Sequence, residues 1–200
     1  EMGTITFDDV ATISVDIEKD IPSTGRNGED DLAVVFGIES YKNVPGVSFA
    51  KRDAEWMKKY FENVLGIPTK QIYYKTNSDV GQAEFSKVFS KDGWLDKRVK
   101  KGKSNLFVYY AGHGAPDLKK NKAYLIPYDG DPNYASQTGY EIDAIYKQLS
   151  EINAASVTVF LDACFSGANR DNEMLIADAR PVFMEVDEAA VRDVTVFSAS

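Results

Sequence analysis

Leu106-Phe-Val-Tyr-Tyr-Ala-Gly-His-Gly114 joins an apolar run to a histidine set between two glycines. A short apolar run without alternation is the pattern of a strand buried on both faces, as in a parallel sheet. The design recurs downstream in Val157-Thr-Val-Phe-Leu-Asp-Ala-Cys-Phe-Ser-Gly167, where a cysteine follows the run. His113 is the one histidine of the chain and Cys164 the one cysteine. If both runs are strands of one α/β sheet, both side chains emerge at its carboxyl edge, where such folds build their sites.

The rest of the chain supports that sheet. Leu32-Ala-Val-Val-Phe-Gly-Ile38 is another apolar run, and Gln71-Ile-Tyr-Tyr-Lys75 reads as a strand. Ala50, Ala54, Met57, Phe61 and Leu65 recur at helical spacing, and Gly66 and Pro68 end that helix. Phe85, Val88, Phe89, Leu95 and Val99 mark a second helix, with Gly93 near its middle. Ile142, Ile145, Leu149 and Ile152 mark a third, and Val194-Thr-Val-Phe-Ser198 a fifth strand. Strands separated by helices imply a mostly parallel sheet with right-handed crossovers. Residues 3–18 alternate loosely and read as an N-terminal strand or arm, and 20–31 form a turn-rich linker. The expected organisation is therefore an arm and linker over 1–30 and one α/β domain over 31–200. The chain stops at Ser200, at an apolar strand, so further protein or a second chain is expected to follow.

Composition narrows the function. The 200 residues are 44% hydrophobic, enough for one domain with a sizeable core. The net charge of −8 and the lack of a basic face argue against nucleic acid as a partner. No run approaches the roughly 18 apolar residues of a membrane span. Glu1-Met-Gly-Thr-Ile shows no signal-peptide pattern, which leaves the compartment open. A single cysteine excludes an intrachain disulfide, and one Cys with one His cannot assemble a zinc site of the usual kind.

Each motif alone has a plain alternative: a satisfied histidine in a turn, or a structural cysteine. Together they suit nucleophilic catalysis, since a thiol needs a base and one imidazole could serve. The N–H of Cys164 and that of Gly114 could form an oxyanion hole. The spacing adds specificity. His113 lies 51 residues upstream of Cys164, and in caspases the histidine precedes a Gln-Ala-Cys motif by about 50 residues.

Here the local run is Asp-Ala-Cys-Phe-Ser-Gly, and the His-Gly and Asp-x-Cys-x-Ser-Gly pair resembles the metacaspases and prokaryotic caspase-like peptidases of clan CD. Leu32–Ile38 resembles that family's first strand, Asp53-Ala54 the opening of its first core helix, and Tyr124-Leu-Ile-Pro-Tyr-Asp129 the segment after its histidine loop. The resemblance covers roughly residues 31–200. It implies a caspase-like three-layer α/β/α sandwich with a mostly parallel central sheet, its C-terminal part missing here or on a second, small-subunit chain. It implies a cysteine endopeptidase with Cys164 as nucleophile, His113 as general acid and base, and no firm third member. Gly114 would contribute an oxyanion N–H.

Specificity follows from the same comparison. Animal caspases carry Gln two residues before the cysteine, in a basic S1 pocket that takes aspartate. This chain has Asp162 there, as the metacaspase-like branch does, and Asp53 matches a second acid. Two carboxylates would favour a peptide or protein substrate with Arg or Lys at P1, because a guanidinium pairs bidentately with carboxylate. Asp53 reads equally as an acid at a helix N-terminus. Ala111 stands where some metacaspases have Ser, which leaves Arg against Lys open.

No cofactor is required by this reading. Calcium is a weaker expectation, with Asp129, Asp131 and Asp171 as candidate ligands toward the roughly six to eight oxygens such a site needs. The family's denser acidic run is replaced by Asp117-Leu-Lys-Lys-Asn-Lys122. Self-processing is expected within 168–193, at Arg170 or Arg192 rather than at Arg180, which precedes Pro181. The alternative is a catalytically silent caspase-like scaffold or sensor. A doubly wound ligand-binding domain has neither a Gly-x-Gly-x-x-Gly nor a Walker loop to support it.

Overall fold

Five apolar runs become five parallel strands in the computed structural model, which describes residues 18–117, 120–165 and 194–198. The strands are β1 (Leu32–Gly37), β2 (Ile72–Thr76), β3 (Asn105–Ala111), β7 (Ser156–Asp162) and β8 (Val194–Ser198), in the order β2-β1-β3-β7-β8. The apolar runs put β1 and β3 in the middle, where both faces are covered; every residue of β1 is buried. Of the expected N-terminal strand or arm over 3–18, residues 3–17 lie outside the described residues, as does the connection 168–193.

Strand alternation sorts the two faces. Leu32, Val34, Phe36, Leu106, Val108, Tyr110, Val159 and Leu161 face one side. They pack with α2 (Gln82–Phe89), α3 (Trp94–Arg98) and α5 (Ile142–Glu151). Phe36 is the centre of an aromatic cluster, with ring centroids 5.1 Å from Phe85 and 6.2 Å from Phe89. Burying such a ring stabilises by about 1.5–3 kcal/mol. On the other face Ala33, Val35, Tyr109 and Ala111 join Ala50, Ala54 and Phe61 of α1 (Ala50–Asn63). The result is a three-layer α/β/α sandwich.

Three features depart from the sequence reading. The helix expected across Phe85–Val99 is two helices. Ser90 is extended, Asp92 has φ 61°, and α3 starts afresh at Gly93. The break lets Phe89 and Leu95 both reach the core, where they are 2% and 0% exposed. Next, the segment after His113 builds a small antiparallel sheet, β4 (Gly114–Asp117), β5 (Lys122–Leu125) and β6 (Tyr140–Glu141). Its strands are too short, and β4 too rich in Gly and Pro, to show a period. A short helix α4 (Ala135–Thr138) precedes β6. Finally, Asp31, at the end of the polar linker, is buried. Its carboxylate accepts from the Arg26 guanidinium at 2.8 Å, the Asn105 N–H at 3.0 Å and the Asn105 side-chain amide at 2.8 Å. That clasp joins the start of β1 to the start of β3. Among the described residues no helix is long and apolar enough to cross a membrane.

Candidate active site

Register brings the two motifs together. β3 and β7 are neighbours, and their pairing ends with Ala111 opposite Asp162. His113 and Cys164 each lie two residues past that pair, so their loops leave adjacent strand ends roughly 5 Å apart. The Gly112 N–H donates to the Asp162 carbonyl at 3.2 Å, which holds the loops side by side one step further. Gly114 closes the contact. A Cβ there would lie 2.4 Å from the Phe165 ring and 3.0 Å from the Cys164 carbonyl oxygen. The histidine loop therefore lies against the backbone of the cysteine loop, and only glycine permits it.

His113 is 2% exposed. Its Nε2 is 2.8 Å from the Pro45 carbonyl oxygen. A carbonyl only accepts, so Nε2 carries the ring proton and Nδ1 is left as the basic nitrogen. The ring lies against the Tyr41 ring at 4.5 Å between centroids. Burial lowers the imidazole pKa below its usual 6.5, and the Pro45 carbonyl opposes the shift. The ring is thus held neutral at neutral pH, ready to take a proton rather than already carrying one.

The backbone around His113 has directional consequences. The Ile126 N–H donates to the His113 carbonyl at 3.0 Å. In an antiparallel ladder the next pair, Gly114 with Leu125, is then a non-hydrogen-bonded pair. The Gly114 N–H is therefore directed away from β5. Cys164 is partly exposed at the mouth of this arrangement.

Asp162 lies on the α1 side of the sheet. The Tyr109 hydroxyl makes a long hydrogen bond to its carboxylate, at 3.4 Å. Across the carboxyl edge the neighbouring positions are Ala111 and Gly37, both small. Asp53 is in the first turn of α1, the helix that covers this face. The two acids thus share the side of the sheet on which His113 and Cys164 follow by alternation.

The calcium candidates are engaged elsewhere. Asp129 accepts the Gln82 N–H at 3.1 Å and caps α2, while Asp131 accepts the Asn133 N–H at 2.9 Å and caps a turn. Among the described residues no three acids or other metal-binding side chains gather. Asp171 lies outside the described residues, as do Arg170, Arg180 and Arg192. Asp129 and Asp131 by themselves supply fewer oxygens than a calcium shell needs.

Three contacts of the histidine escaped the sequence reading: Tyr41, Pro45 and Tyr110. Tyr41 and Pro45 sit in the aperiodic segment between β1 and α1, and a backbone carbonyl carries no residue signal. Tyr110 was legible only as a strand residue.

The caspase-domain family profile matches residues 30–200. Forty solved chains match. One of them, titled "structure of pro-sf-caspase-1", has a TM-score of 0.47 and 12% sequence identity, and the match covers 96% of this chain and 68% of that one. No curated protein matches the chain.

Proposed function

Because the chain belongs to the caspase-domain family of clan CD, we propose that it is a cysteine endopeptidase using Cys164 as nucleophile and His113 as general acid and base. One observation carries the reading: the chain's single imidazole and single thiol follow adjacent parallel strands at matching register. The family implies a peptide or protein substrate.

The chemistry follows from the ring's tautomer. With Nε2–H held by Pro45, Nδ1 takes the thiol proton as sulfur attacks the scissile carbonyl. The imidazolium gains from the Pro45 carbonyl, which stays hydrogen-bonded throughout. The carbonyl oxygen becomes an oxyanion, for which the N–H groups of Gly114 and Cys164 are the proposed donors. As the tetrahedral species collapses, the C–N bond breaks and Nδ1–H protonates the departing amine. Water then gives a proton to Nδ1 and attacks the thioester. The acid leaves and the proton returns to sulfur.

Asp162, with Asp53, is the proposed recognition site for Arg or Lys at P1. Support comes from the two acids' shared face and from the small side chains of Ala111 and Gly37 beside Asp162. Self-processing at Arg170 or Arg192 is part of the same proposal.

Fluorogenic peptides with Arg, Lys, Asp or Leu at P1 test it, with Cys164→Ala as control. Cleavage after Arg or Lys that Cys164→Ala abolishes is expected. Cleavage after Asp alone overturns the pocket assignment. No Cys164-dependent cleavage, with Cys164 also inert to iodoacetamide, replaces the peptidase with a silent caspase-like module. Intact mass of wild type beside Cys164→Ala reads self-processing directly.

A further inference from the structure

Two tyrosine hydroxyls close a ring of hydrogen bonds around the peptide groups of His113. The His113 N–H donates to the Tyr41 hydroxyl at 2.7 Å. The Tyr110 hydroxyl lies 2.8 Å from the His113 carbonyl and 3.0 Å from the Ile126 carbonyl. Tyr41 and Tyr110 hydroxyls are 3.3 Å apart. Each hydroxyl has one proton, and carbonyls only accept. Tyr110 must therefore donate to the carbonyls, and Tyr41 must donate to Tyr110. The chain of donation runs from His113 N–H through Tyr41 and Tyr110 to the His113 carbonyl. Burial raises both phenol pKa values, so the hydroxyls keep their protons at any working pH.

Neighbouring features depend on this ring. A Cβ on Gly112 would lie 2.6 Å from the Tyr41 oxygen and 2.7 Å from the Tyr110 oxygen, so the glycine before the histidine makes room for the two hydroxyls. The segment that carries Tyr41 is itself fixed. The N–H groups of Glu39 and Ser40 both donate to the Asn77 side chain, at 2.9 and 3.1 Å. The Lys42 N–H donates to the Tyr128 carbonyl at 3.0 Å. The same segment presents the Pro45 carbonyl to Nε2. Tyr41 thus holds the histidine twice, by its ring against the imidazole and by its hydroxyl on the peptide.

From this geometry we infer that Tyr41 is a positioning residue for the reaction: it holds His113 in the orientation that keeps Nε2 on the Pro45 carbonyl, without touching the substrate. The inference rests on the reading of His113 as general acid and base. It differs from a packing role in a measurable way. Tyr41→Phe keeps the ring and deletes only the acceptor of the His113 N–H and the donor to Tyr110.

The expected result for Tyr41→Phe is kcat lower by roughly tenfold to a hundredfold with KM unchanged, the size of effect that misplacing a reacting group produces. An untagged, 15N-labelled chain gives a second readout, because its single imidazole needs no assignment. Wild type should show the Nε2–H tautomer, and Tyr41→Phe a mixture of the two. Tyr110→Phe, which opens the ring on the carbonyl side, should act in the same direction and serves if Tyr41→Phe does not fold. Wild-type kcat together with wild-type imidazole signals in the folded variants overturns the inference, as does a raised KM at constant kcat. If wild type itself lacks Cys164-dependent turnover, the peptidase reading fails, and the imidazole signals alone decide whether Tyr41 orients the ring.

Discussion

Gly114→Ala is the sharpest test of how the two loops meet. The new methyl would stand 2.4 and 2.5 Å from two carbons of the Phe165 ring and 3.0 Å from the Cys164 carbonyl oxygen. Carbon atoms rest at about 3.5–4.0 Å, so the ring must retreat by roughly 1 Å. Phe165 is only partly buried and can swing outward. The Cys164 carbonyl is backbone, so its relief has to come from parting the cysteine loop from the histidine loop. Overpacking of this kind costs about 1–3 kcal/mol, or a fall in Tm of roughly 2–12 °C for a domain of this size. The expected catalytic loss is larger, because a 1 Å misplacement at the reacting groups can cost about a hundredfold. kcat/KM on an Arg-P1 peptide, read beside the thermal melt, separates the two effects. A variant that melts lower but keeps wild-type kcat/KM would refute the claim that this contact sets the relation between His113 and Cys164.

Three further outcomes are expected. The single imidazole should titrate below 6.5 by NMR, because burial disfavours its charged form. The unfolded chain then binds the proton first, so the stability owed to the neutral ring is complete above pH 6.5 and is lost as pH falls toward the folded value; urea midpoints that do not decline below pH 6.5 would contradict this. Asp162→Asn should cut the preference for Arg over Leu at P1 by roughly 10- to 100-fold, the worth of a hydrogen bond to a charged group, and an unchanged ratio removes Asp162 from the pocket. Asp31→Ala should lose about 3 kcal/mol, since a buried carboxylate with three partners is deleted. Its Tm should fall by roughly 6–12 °C, while a change below about 2 °C would show that the β1–β3 clasp is not a stability determinant.

The parallel sheet was readable because its physics is local. Leu32–Gly37 and Asn105–Ala111 are short apolar runs ended by small or polar residues, and burial on both faces admits little else, while Ser156–Asp162 is an apolar run buried on alternate residues. Val194–Ser198 and Ile72–Thr76, the two edge strands, were legible from their β-branched and aromatic residues although they are only partly buried. The break before Gly93 was not, because periodicity continues through it and only the need to bury Phe89 and Leu95 together demands a turn. The β4–β6 sheet was not readable either, since strands of two to four residues exist only by virtue of their partners.

The site divides along the same line. Residue type and spacing were enough to mark His113 and Cys164 as candidates, because imidazole and thiol each carry their own chemistry, and the family resemblance added Asp162. What holds them is tertiary. The Ala111–Asp162 register, the Pro45 carbonyl on Nε2 and the Tyr41–Tyr110 ring join residues from β3, β7 and the segment between β1 and α1 that lie far apart along the chain. Hydrogen-bond direction and loop contact depend on where the backbone runs, and a backbone carbonyl is the same in every residue. The sequence by itself therefore determined which groups could react, while the tertiary structure decided which nitrogen carries the proton and what keeps the ring in place.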